Sequence, residues 1–184
     1  MVLQMVAAAT ATVNVCAFAW GVWGVFVKKG EPSGGLTVIK IGAALAAVAV
    51  VWSLCTSARV HGWNGVLGLL VLLGSLLLFV LSVRVNRARP LSLAFCRDEP
   101  VHVQRSGPYR LVRHPFYLSY LLTYAGALLA SLNPILLGVV LAMTAIYAHA
   151  ARIEERKFLA SPLGGDYALY RRQTGMFIPR LTRR

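Results

Sequence analysis

Apolar residues run in five long blocks, over residues 5–27, 36–56, 65–83, 116–131 and 135–151, each broken from the next by charge, proline or glycine. A helix crossing the ~30 Å hydrocarbon core of a bilayer needs about 20 such residues, so each block reads as a membrane span, the last two being close to the lower length limit. Only Leu132, Asn133 and Pro134 separate those two, which predicts a tight helical hairpin. The pattern defines an all-α integral membrane protein with about five transmembrane helices, the last two a short hairpin, followed by a C-terminal helical segment. The first three blocks hold no ionisable residue in mid-span. They read as scaffold, packed through small residues such as Gly42, Gly68 and Gly74.

Composition agrees with that pattern. Of 184 residues, 58 % are hydrophobic and 14 % charged, against roughly 25 % charged in a soluble domain. Nineteen Lys and Arg face six Asp and Glu, a balance that in a soluble chain would suggest nucleic acid. Their distribution explains them otherwise. Lys28, Lys29 and Lys40 lie in or beside the first connection, Arg59 lies in the second, seven run from Arg84 to Arg113, and eight from Arg152 to Arg184. Eighteen of the nineteen fall on one side if the N-terminus is outside and the C-terminus cytoplasmic, the positive-inside pattern. No nucleic-acid partner is expected. No Lys or Arg precedes Lys28, so the first block lacks the basic leader of a cleavable signal and reads as a retained span. Cys16, Cys55 and Cys96 have neither disulfide nor metal-ligand spacing, and no metal site is indicated.

Two segments on the basic side carry candidate chemistry. Ser106-Gly107-Pro108-Tyr109 leads through Arg113-His114-Pro115-Phe116-Tyr117 into the fourth block. Pro115 suits a first helical turn, where exposed amides together with Arg113 and His114 would favour a carboxylate or phosphate; interfacial anchoring by Arg and Tyr would use the same residues. Beyond the fifth block, His149, Arg152, Glu154 and Glu155 leave the membrane on one helix. The adjacent carboxylates, two of the six acids in the chain, could serve a cation or hold the arginines of the preceding loop; local ion pairs on a solvated helix are the plainer alternative. His149 lies one turn before Arg152 and shares its face, where a lone histidine is more often a satisfied polar residue than a base. The tail adds a Gly164-Gly165 break, Tyr167, Tyr170 and an apolar end at Phe177-Ile178-Pro179, a turn and short amphipathic helix able to re-enter the interface. No dinucleotide fingerprint, P-loop, nucleophile elbow or zinc-protease motif occurs.

Taken together, these residues resemble the integral-membrane methyltransferases of the isoprenylcysteine carboxyl methyltransferase type, whose relatives include phospholipid N-methyltransferases. The resemblance rests on Ser106-Gly107-Pro108-Tyr109, Arg113-His114-Pro115-x-Tyr117, Asn133-Pro134-Ile135, Glu154-Glu155, Leu163-Gly164-x-x-Tyr167-x-x-Tyr170 and Phe177-Ile178-Pro179, in order over residues 101–180. It implies S-adenosylmethionine as cofactor, bound at the cytoplasmic face of what would be a bacterial inner membrane, with a lipid-facing path for the acceptor. The length and apolar content fit one membrane domain over residues 1–184, in which 1–83 is expected to be three-span scaffold and 84–184 the cofactor-binding and catalytic part. Arg113, His114 and Tyr117 would engage the donor's polar parts, Gln104, Gly107 and Tyr109 would line its nucleoside, and Glu154 or Glu155 would hold its amino group or lock the arginines.

Two departures from the family pattern are mild: Ser119 replaces a usual glycine and Leu163 a usual phenylalanine. A third bears on the acceptor. Where prenylcysteine enzymes use an arginine on the fifth helix, this chain offers His149 with Arg152 one turn on, giving His149, Arg152 and Glu154 as the expected catalytic group. A composition rich in Ala, Val, Arg and Gly points to a GC-rich bacterial source, where prenylated proteins are not expected. The expected partner is therefore a lipidic, quinone-like or polyketide-like acceptor, beside membrane lipids and a second copy through small-residue faces. The competing readings are a sterol-reductase-type membrane enzyme using NADPH and a non-enzymatic membrane scaffold.

Overall fold

The computed structural model describes residues 1–24, 34–87, 100 and 102–180. Lys28, Lys29, Arg89, Cys96, Arg97, Arg183 and Arg184, used above for topology and cysteine chemistry, lie outside the described residues. Six α-helices follow in order: α1 (Val2–Gly24), α2 (Gly34–Thr56), α3 (Gly62–Asn86), α4 (Pro115–Ser131), α5 (Pro134–Ala160) and α6 (Gly164–Gln173), with a 3₁₀ turn over Gly107–Arg110 before α4. The described residues form no named strand. Among the described residues four helices, α1, α2, α3 and α5, are long and apolar enough to cross a membrane, and the all-α membrane architecture expected from the sequence is the one observed.

The hairpin is unequal rather than uniformly short. The α4 helix has 17 residues, whereas α5 has 27 and continues past the apolar block to Ala160. At about 1.5 Å per residue α4 is only ~26 Å long, and it is the most enclosed helix, touching α1, α2, α3 and α5. Pro115 starts it at a position whose amide needs no partner. Leu132 ends it in the left-handed region at φ +50°, and the Asn133 side chain then accepts the Ile135 amide at 3.0 Å to begin α5.

Small residues set the closest crossing. A Cβ on Gly68 of α3 would lie 2.6 Å from both Ala130 N and Gly126 O of α4. By contrast, Gly74 faces open space, so only the first of these two glycines serves the packing expected of both. Polar groups join three helices inside the bundle. Asn14 Nδ2 donates to Leu72 O and to Thr123 Oγ1, each at 3.0 Å. Ser75 Oγ donates to Ser119 O at 2.6 Å and lies 2.8 Å from Thr123 Oγ1. Because Ser75 has spent its one hydrogen, Thr123 is the donor in that second contact. Ser119, the departure from the family's glycine, is fully buried and donates to Phe116 O at 2.7 Å, so the added hydroxyl is accommodated within its own helix.

Candidate functional site

The site forms where the end of α3, the 3₁₀ turn, the start of α4, the polar end of α5 and the tail meet. The tail folds back along the segment before α4. Val112 and Gly175 form an isolated parallel bridge, Arg113 N donates to Gly175 O at 2.9 Å and His114 N donates to Met176 O at 3.3 Å. Gly175 is required here, since a Cβ would lie 1.6 Å from Ile178 O. These main-chain pairs present Arg113 and His114 side by side to α5.

Glu155 is the centre of the charge cluster. Its side chain is 4 % exposed, and Oε1 accepts from Arg113 Nε at 2.8 Å and from His114 Nε2 at 3.3 Å. Its Oε2 pairs with Arg171 Nε of α6 at 3.3 Å. Arg113 also donates through Nη1 to the carbonyls of Arg171 and Thr174, which ties the guanidinium to the tail. Glu154 is placed differently. At 23 % exposure, it accepts from His114 Nδ1 at 3.1 Å and from the Tyr117 hydroxyl at 2.9 Å. Burial alone would lower the His114 pKa, but hydrogen bonds and charge from Glu154 and Glu155 outweigh it and hold the imidazole above its ordinary value.

Aromatic rings extend the site into the bundle. Tyr117 stacks on His114 with centroids 5.7 Å apart and on Tyr147 of α5 at 5.1 Å. Tyr147 and Tyr124 then face each other through their hydroxyls at 3.3 Å. On the other side, Tyr170 of α6 donates to the Tyr109 carbonyl at 2.7 Å, and burial pushes its phenol up to about 12, which keeps it a donor. Gly107 takes φ +56°, and a Cβ there would meet Val85 Cγ2 at 2.6 Å. Gln104 closes the same turn, its Oε1 accepting from Arg105 N at 3.1 Å and Ser106 Oγ at 3.0 Å.

The expected residues therefore divide. Arg113, His114, Tyr117, Glu154 and Glu155 are in direct contact, and Gln104, Gly107 and Tyr109 build the adjoining turn. His149 and Arg152 are not brought to the cluster; both are exposed. At about 100° per residue, His149 is rotated about 140° from Glu154, whereas Tyr147, Ala150, Ala151 and Glu155 share the buried face. His149 and Arg152 thus stand apart from Glu154, whose side-chain partners are His114 and Tyr117. Sequence reasoning missed Asn86, Tyr147, Arg171 and Thr174, which it had treated as connection, span or tail; only the excess of basic residues hinted at Arg171.

The model of the phospholipid methyltransferase family matches residues 63–164, more than half of the chain, and the protein belongs to that family. It is an integral membrane methyltransferase. The matched region runs from α3 to the first residue of α6 and contains Arg113, His114, Glu154 and Glu155. No curated protein matches the chain.

Proposed function

We propose that the protein transfers a methyl group from S-adenosylmethionine to an amphiphilic or lipidic acceptor at the cytoplasmic membrane face, with residues 84–184 carrying the donor site and residues 1–83 the supporting scaffold. The observation that carries this reading is the buried His114–Glu154–Glu155–Arg113 cluster, open only on its Glu154 side. A donor of this class has an ammonium, a carboxylate and a nucleoside, and the residues of the cluster fit the first two. Glu154, bonded to one neutral and one cationic donor, retains capacity for an ammonium. Arg171, half exposed beside Glu155, suits a carboxylate. Glu155 and Arg113, with Gln104 and Gly107, hold the surrounding geometry. The donor's sulfonium supplies an already activated methyl group, so the protein's task is to orient both partners and exclude water.

Orientation follows from ring and charge placement. His114, locked by both carboxylates, fixes the plane of Tyr117, and Tyr117 in turn aligns Glu154 Oε1. The enclosed setting among Tyr117, Tyr120 and Tyr147 keeps bulk water from the reacting atoms. His149 and Arg152, on the opposite face of α5, meet lipid headgroups in this reading and take no part in the transfer.

The test is transfer of labelled methyl from S-adenosylmethionine into a total lipid extract by protein in nanodiscs. Label should enter lipid, fall at least tenfold in Glu154→Ala and stay within about twofold in His149→Ala. Loss in His149→Ala alone, with Glu154→Ala active, would reverse the assignment.

A further inference from the structure

Asn86 ends α3 fully buried, with one polar atom unmatched. Its Nδ2 donates to Ser82 O at 2.7 Å and to the Tyr109 hydroxyl at 3.0 Å, which uses both amide hydrogens. Its Oδ1 has no hydrogen-bond partner among the described residues. Turning the amide over would set Oδ1 against the Ser82 carbonyl at 2.7 Å, two acceptors in contact, so this orientation is the one the surroundings require. Tyr109 is equally incomplete. Its oxygen accepts from Asn86, while among the described residues no acceptor is paired with its own O–H. Burial, with a contribution from the charge of Glu154, raises the Tyr109 pKa well above its ordinary value, so that hydrogen stays on the phenol.

An unfilled acceptor thus lies next to an unfilled donor, at the turn whose far side joins the charge cluster through Tyr170. Leaving such groups unpaired in a buried site is costly, and native structures seldom do so without a ligand or a water to complete them. The pair has a chemical complement. An aminopurine edge offers an exocyclic N–H donor beside a ring-nitrogen acceptor, the reverse of Asn86 Oδ1 beside Tyr109 O–H. We propose that Asn86 and Tyr109 read the adenine amino edge of the methyl donor, so that Asn86 is a specificity residue for the nucleobase. This rests on the donor reading given above and extends it to a residue outside every motif of the sequence.

The experiment compares S-adenosylhomocysteine with S-inosylhomocysteine, in which oxygen replaces the 6-amino group, by calorimetry on the full chain in detergent. The wild-type protein should favour the adenosyl compound by about tenfold or more. Asn86→Leu should lower its affinity to that of the inosyl compound, whose own binding stays unchanged, bringing the ratio to about one. Tyr109→Phe should weaken the adenosyl compound several-fold. Equal wild-type affinity for the two compounds would overturn the proposal, because water alone would then complete Oδ1. Equal weakening of both by Asn86→Leu, with the ratio kept, would overturn it in favour of a structural role. If Asn86→Leu does not fold, the wild-type comparison decides by itself. Binding of neither compound by folded wild-type protein would instead defeat the donor reading.

Discussion

Both ring nitrogens of His114 face carboxylate oxygens, and two ionised carboxylates can be satisfied only if both nitrogens donate. The imidazole is thus a cation shared between Glu154 and Glu155, with Arg113 as second cation on Glu155. A histidine whose folded pKa is raised contributes stability that is fully present below its unfolded value of 6.5 and is lost as pH rises through the folded value. Thermal unfolding in detergent, followed from pH 6 to pH 9, should show stability declining on the alkaline side. His114→Gln should be less stable at pH 6 and show a shallower decline. An identical decline in the variant would mean that another group governs it.

Helix by helix, the closest constraint is the α3–α4 crossing, because there backbone rather than side chain meets Gly68. Gly68→Val should cost at least about 1–3 kcal/mol by overpacking, and the start of α4, which carries His114, should shift with it. Gly74→Val, facing open space, should leave the melting temperature within a degree or two; equal effects at both positions would contradict the crossing described here. Much at this scale was legible in the sequence. Asn133-Pro134 marked the hairpin because a capping side chain and a proline at the first helical position leave a local signature. The extent of α5 was less legible, since Arg152, Glu154, Glu155, Arg156 and Lys157 end the apolar block yet are good helix formers, and no breaker arrives before Ser161-Pro162. The main-chain pairing of Arg113 and His114 with Gly175 and Met176 left no side-chain trace at all. That His149 lies apart from the cluster was not legible for a geometric reason: a position near a motif along the chain can face another way once helical rotation is applied. Asn86 passed unnoticed because one polar residue closing an apolar block reads as a boundary.

Across the whole molecule, the fold sets a lipid-facing bundle against a polar end. One face of α2, through Val38, Ile41, Leu45, Val48 and Trp52, is exposed and apolar, as a bilayer requires. The opposite faces bury Ala7, Ala11, Ala46 and Val50 around α4. Because α4 is short and enclosed, its first residues and the charge cluster are held by all the surrounding helices and by the tail, while α5 extends beyond the bundle to reach them. Membership of the phospholipid methyltransferase family and this architecture agree on a membrane methyltransferase. The division of labour between the two glutamates is the central claim. Under the proposed function, Glu155 is a buried keystone and Glu154 is the glutamate that faces the donor. The most direct measurement is a calorimetric titration of S-adenosylhomocysteine into purified wild-type, Glu154→Gln and Glu155→Gln protein, with each melting temperature recorded. The account predicts saturable binding by wild-type, at least tenfold weaker binding by Glu154→Gln with its melting temperature nearly kept, and a marked loss of thermal stability in Glu155→Gln. Unchanged affinity in Glu154→Gln, or no binding by folded wild-type protein, would contradict it.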